Sequence, residues 1–222
     1  MNNKAGFAVF FFLAFVVSYI PFVKLPFMWA QTFFHEISHG LTAIATGGSI
    51  NRLEIHLRGS GVCYTHGGSN FLISFAGYAG AALWGSLLVL TVVRAGSRRA
   101  HIVAALLGAL VIFSGVFWVR DVISWLIIAV IAAMCLVAYR YGASKPVALF
   151  MQFLGTYVIL DAIKSPLYMI DGRSLGDGAV LSNLTLVPEI GWVGVWEAFA
   201  ILCVWMLWRA LAGSNEQSST NY

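Results

Sequence analysis

Residues 27–46 are long enough to cross a bilayer, since about 20 residues of helix span the hydrocarbon core, yet the middle of this apolar stretch reads Phe33-Phe34-His35-Glu36-Ile37-Ser38-His39-Gly40. A carboxylate at the centre of a membrane helix costs about 2.5–3.5 kcal/mol on insertion scales. Glu36 therefore has to face protein and find a partner there, which restricts how the rest of the chain can be arranged. His35 and His39 are four residues apart and project from one helix face, one turn from each other, while Glu36 is rotated about 100° from His35. This is the His-Glu-x-x-His arrangement in which two imidazoles grip a zinc ion and the glutamate is the general base. The competing reading is a chance polar patch packed against neighbouring helices.

The remaining sequence agrees with a membrane setting. Hydrophobic residues make up 60% of the 222 and charged residues 10%, against about 25% charged in soluble proteins. The expectation is an all-α polytopic membrane protein of about seven transmembrane helices with a small β-hairpin after the motif helix. One membrane domain is expected over residues 1–212, with a polar tail over 213–222. The formal charge of +4 is scattered. Only Arg94, Arg98 and Arg99 cluster, in a loop suited to anionic lipid, so the bilayer is an expected partner and nucleic acid is not. Cys63, Cys135 and Cys203 have no Cys or His at the spacing of a structural metal site and are expected as free thiols.

Along the chain, residues 5–20 read as a retained first membrane helix, because no small-x-small cleavage site precedes Pro21. Pro26 suits the first turn of the motif helix, and Gly47-Gly48 ends it. The period then changes: Ile50, Leu53, Ile55 and Leu57, then Gly59-Ser60-Gly61, then Val62 and Tyr64 read as two short strands around a glycine turn. Such a hairpin at the membrane boundary offers a strand edge that holds a peptide in extended form. His56 and His66 on it are expected at the surface. The third helix, 69–93, opens with Ala76-Gly77-Tyr78-Ala79-Gly80-Ala81-Ala82, small residues that permit a close helix contact. Helices over 101–117 and 122–139 are joined through Trp118-Val119-Arg120-Asp121, suited to the headgroup level. A sixth helix starts at Pro146 and ends near 161–165, a long polar segment covers 164–188, and a last helix covers 190–211. Residues 214–222 are expected to lack regular structure.

Catalytic zinc usually takes three protein ligands and keeps a fourth position open, so His35 and His39 need a third. Asp161, Asp171 and Asp177 are the candidates. Four crossings separate the hairpin from the 164–188 segment, and an even number returns the chain to the side on which the motif helix emerges. Asp171-Gly172 and Asp177-Gly178 are also ordinary turn formers, and a hydrogen-bonding role is open to Asp161. The residues alone leave the choice open.

Taken together, Phe34-His35-Glu36-Ile37-Ser38-His39-Gly40, the glycine-rich hairpin, the small-residue third helix, and the late Leu160-Asp161 and Gly176-Asp177-Gly178-Ala179 resemble the site-2 protease group of intramembrane zinc metalloproteases, peptidase family M50, especially its short B-like branch. The resemblance implies that His35, His39 and a distant aspartate hold Zn2+, that Glu36 activates water, and that the substrate is a membrane-embedded protein. The family signature leads from Asn-x-x-Pro to Leu-Asp-Gly. Here Leu160-Asp161-Ala162 lacks the glycine and Gly176-Asp177-Gly178 lacks the leucine. Asp177 ranks first as third ligand because Asp-Gly-Ala-Val-Leu continues most like the family pattern, and Asp161 ranks second. The implied location is multi-pass in a bacterial inner membrane. The alternative function is a metal-binding, non-proteolytic membrane scaffold or regulator. Basic loops at 94–99 and 140–145 are cytoplasmic by the positive-inside rule, whereas familiar bacterial members have the catalytic side nearer the cytoplasm, so the two indications of orientation oppose each other. The sequence does not constrain the oligomeric state.

Overall fold

Prolines and glycines set the limits of the helices. Pro26 and Pro146 occupy the first turns of their helices, where a missing N–H breaks no intrahelical bond. The motif helix stops at Thr46, and Gly47 follows it with φ of 87°. The computed structural model describes residues 3–95, 97–141, 144–170 and 175–219. Among the described residues the order is α1 (Asn3–Val17), α2 (Leu25–Ala45), β1 (Ser49–Ile55), β2 (Gly61–His66), α3 (Asn70–Ala95), α4 (Ser97–Trp118), α5 (Val122–Arg140), α6 (Lys145–Lys164), a 3-10 turn (Ser165–Met169), α7 (Asp177–Thr185) and α8 (Glu189–Ser219).

The polar segment after α6 contains the 3-10 turn and the nine-residue α7. One expectation needs correction. The tail after residue 213 continues α8 to Ser219, as extending an existing helix needs no new nucleus. The expected all-α multi-pass architecture with a β-hairpin is present. Among the described residues five helices, against the seven or so expected, are long and apolar enough to cross a membrane: those over Asn70–Arg94, Ala100–Trp118, Val122–Arg140, Lys145–Met169 and Glu189–Ala212. α1 is apolar but has 15 residues, and α2 is diluted by its own polar site residues.

α3 holds the bundle together. It packs on α2, α6 and α8, while α4 and α5 pack on each other and α1 packs on α6 and α8. Where α3 crosses α6 the backbones touch: a Cβ on Gly85 would lie 2.6 Å from the Gly155 carbonyl oxygen. Small residues at such crossings let dispersion contacts do what hydrophobic burial cannot do in lipid.

The hairpin pairs β1 with β2 antiparallel, Ile55 opposite Gly61 and Leu53 opposite Cys63, with an irregularity between Ile50 and Arg52. Its turn is seated on α2. Trp29 donates its indole N–H to the Leu57 carbonyl at 3.1 Å, and the Thr32 hydroxyl lies 2.8 Å from the Gly59 carbonyl. His56 and His66 are exposed, as expected. Arg120 and Asp121 each serve a helix end: the Arg120 guanidinium donates to the Val119 carbonyl at 3.0 Å, and Asp121 caps α5.

Candidate metal centre

One face of α2 carries the site. The Nε2 atoms of His35 and His39, one turn apart, are 3.0 Å from each other. His39 Nδ1 is 2.6 Å from the Ile73 carbonyl oxygen. A carbonyl only accepts, so Nδ1 carries the proton and Nε2 keeps its lone pair for the site, the usual outer bond of a ligating histidine. The His35 ring meets Tyr78 edge-on, with centroids 4.4 Å apart. Tyr78 in turn lies 4.9 Å from the fully buried Trp196, whose indole N–H donates to the Phe75 carbonyl at 3.0 Å. Among the described residues the buried His35 Nδ1 has no hydrogen-bond partner.

α3 reaches these rings because Gly77 has no side chain. A Cβ there would lie 2.5 Å from the His39 ring and 2.6 Å from the His35 ring. The close contact expected of the small-residue helix is thus made with the motif helix itself.

Asp177 enters from the other side, as the first residue of α7. Gly176 before it turns the chain at φ of 89°, a region that glycine adopts without strain. The Asp177 Oδ2 atom lies 3.3 Å from Nε2 of both histidines, and a helix N-terminus favours the carboxylate charge. Asp161 is placed differently. It sits in the last turn of α6 and accepts the Ser165 hydroxyl at 2.6 Å, and it is not in the His35, His39, Asp177 group. Asp171 lies outside the described residues.

The donor set fits a zinc ion. Ligand atoms at 2.0–2.1 Å from a tetrahedral zinc are about 3.3 Å apart, and the three atoms here form a triangle with sides of 3.0, 3.3 and 3.3 Å. Imidazole nitrogens and a carboxylate oxygen are zinc-ligand types, and His35, His39 and Asp177 bring three such atoms close enough together to hold one metal ion.

Glu36 is buried and turned toward the hairpin. A Cβ on Gly61 would lie 2.8 Å from its Oε1 atom, and the Cys63 backbone N–H is directed at its carboxylate. Between these elements is a cavity of about 590 Å³, walled by His35, Glu36, His39 and Asp177 and bordered by Gly61, Val62 and Cys63 of β2. Burial, together with the Glu36 carboxylate, pushes the Cys63 thiol up to about 12. The thiol therefore stays neutral and offers no nucleophile. Cys63, Cys135 and Cys203 are all free.

A family model described as Peptidase M50B-like matches residues 8–207, the whole site and hairpin included. The chain belongs to the Peptidase M50B-like family. This membership classes it as an M50-like metalloendopeptidase, built here as a multi-pass membrane protein with a His/His/Asp cluster. No curated protein and no solved structure matches it.

In this M50B-like chain the motif was visible at once, but its supports were not. Tyr78 is hidden in a run of small residues that reads as packing. The role of the Ile73 carbonyl is a backbone property with no sequence signal. The glycines on both sides of Asp177 did carry one, since Gly176 makes the turn and a Cβ on Gly178 would lie 2.7 Å from Glu189 Cγ.

Proposed function

We propose that this M50B-like chain is an intramembrane zinc peptidase acting on membrane-embedded proteins, with His35, His39 and Asp177 as metal ligands and Glu36 as general base. The observation that carries the reading is the convergence of three ligand atoms on a cavity that also holds Glu36 and borders a strand. Zinc bound in such a site supplies Lewis acidity and brings the pKa of water to about 7. Glu36 takes the proton of the attacking water and delivers it to the leaving amine. A helical substrate must first unwind, because its own hydrogen bonds shield each peptide bond. β2 offers replacement backbone partners to the extended segment. The setting carried over from the resemblance is a bacterial inner membrane, with residues 1–212 acting as one domain.

The test is zinc content and cleavage measured side by side in the purified full chain. Glu36→Gln keeps stoichiometric zinc and cuts no membrane peptide; full cleavage by that variant would rule the mechanism out. Asp177→Ala loses zinc, whereas Asp161→Ala keeps it, and the reverse pattern would reassign the third ligand. The departure of Leu160-Asp161-Ala162 from the family signature favours the second reading, a metal-binding scaffold or regulator. Zinc without cleavage in the wild-type chain selects it.

A further inference from the structure

The outer edge of β1 is already bonded. Ser124, fully buried in the first turn of α5, accepts from the Ile55 N–H at 2.8 Å and donates to the Ile55 carbonyl at 3.2 Å. One hydroxyl thus supplies both bonds that a third strand would supply at that residue. Ser124 is itself fixed, since its backbone N–H donates to Asp121 Oδ1 at 2.8 Å, the N-cap bond of α5. The next residue, His56, donates inward to the Ser60 carbonyl at 2.8 Å. Backbone groups alternate in direction along a strand of an antiparallel pair, so Ile55 faces away from β2. Gly61 opposite Ile55, and Cys63 opposite Leu53, accordingly turn their backbone groups away from β1, toward the edge that borders the cavity, where the Cys63 N–H meets the Glu36 carboxylate and Gly61 is the position at which an added strand would pair.

We infer that Ser124 is a positioning residue that closes the outer edge of β1 and fixes the hairpin, so that an extended substrate segment adds along β2 only, beside Glu36. This rests on the reading of β2 as the substrate strand. It assigns a role in peptide binding to a serine on a different helix from the metal ligands, joined to the site by two hydrogen bonds and one strand.

Two measurements separate the inference from the reading beneath it. Hydrogen exchange on the full chain in phosphatidylcholine nanodiscs reports the clamp without any cleavage. Ser124→Ala is expected to speed exchange at the Ile55 amide about tenfold, the loss of roughly one hydrogen bond. Ser124→Thr, which keeps the hydroxyl, restores protection, and zinc content is unchanged in both. Unchanged exchange in Ser124→Ala overturns the clamp. The edge is read by disulfide trapping in a Glu36→Gln background with the native Cys63, Cys135 and Cys203 replaced by alanine, with Val62→Cys on β2 or its cross-strand neighbour Glu54→Cys on β1. The probe is a synthetic membrane peptide of about 25 residues with one cysteine in a glycine-rich centre. A strand beside β2 lies within bridging distance of position 62, and two strand spacings, about 9.6 Å, separate it from β1, beyond disulfide reach. Trapping by Val62→Cys alone supports the inference, and trapping by Glu54→Cys overturns it. Trapping by neither, with the exchange change intact, overturns strand addition itself.

Discussion

The span at Val122–Arg140 has a mean hydropathy of 2.6 and buries 28% of its most apolar 18 residues, whereas that at Lys145–Met169 has 1.6 and buries 56%. In water the more apolar helix would be the more buried one. In a bilayer the order reverses, because lipid is as apolar as leucine and nothing drives a leucine inward. α5 accordingly turns Leu126 and Leu136 outward, while α6 buries Gln152 and Thr156, and α2 buries Gln31, Thr32, Glu36, Ser38 and His39. Polar groups are gathered at the centre and apolar ones face the solvent. What holds the centre together is close fit, so tolerance to added atoms should fall steeply from the lipid side to the site.

That contrast is open to direct attack. The largest effect is expected at Gly77→Ala, whose new methyl meets both imidazoles. Zinc affinity, titrated against a competing chelator, should fall about 10- to 100-fold, as for other disturbances of the shell around a ligand. Wild-type affinity would mean that the α2–α3 contact is not tight. Next comes Gly155→Ala at the α3–α6 crossing, where a Cβ would lie 2.8 Å from the Gly85 carbonyl oxygen and 2.9 Å from Val89 Cγ2. Overpacking there should cost about 1–3 kcal/mol in detergent-induced unfolding, against under about 0.5 kcal/mol for Leu136→Ala on the lipid side.

Asp121→Ala, which removes the α5 cap, should cost about 1 kcal/mol, and the cost depends on pH. Burial raises the Asp121 carboxyl, but hydrogen bonds from Ser124 and neighbouring backbone amides outweigh it and hold the group below its ordinary 3.8. A carboxyl depressed in the folded state stabilises fully above its unfolded value and loses that contribution as pH falls through the folded one. The difference between wild type and variant should therefore be complete at neutral pH and shrink below 3.8; a difference that grows in acid would contradict the cap. An effect of opposite sign is expected at Gly194→Ala on α8, where nothing lies within 4 Å of an added Cβ. Unfolding should shift by less than about 1 kcal/mol, toward greater stability, on helix propensity alone.

Much of the fold was legible because lipid makes local rules decisive. Backbone groups in hydrocarbon must be satisfied within the segment, so apolar length, Pro26, Pro146 and Gly47 sufficed to set helix limits near those observed. The hairpin was legible because Ile50, Leu53 and Ile55 break the helical period. His35, Glu36 and His39 were legible because their spacing is itself the geometry. Asp177 was legible only as the first-ranked candidate, through its glycine neighbours and the continuation Asp-Gly-Ala-Val-Leu, because its approach to the two histidines is a property of the folded chain. α7 escaped notice because nine residues opening on Asp-Gly read as a turn. Ser124 escaped as well: one serine in an apolar helix carries no mark of a strand lying across it.

The seat of the hairpin on α2 has a mechanical consequence. Trp29 and Thr32, which hold its turn, lie on the same rigid rod as His35, Glu36 and His39. Helices accommodate membranes of different thickness by tilting, and a tilt of α2 carries the turn and Glu36 together. The spacing between the chemical group and the strand beside it is thus set by the rise of a single helix, and a thinner or thicker membrane moves the pair without pulling it apart.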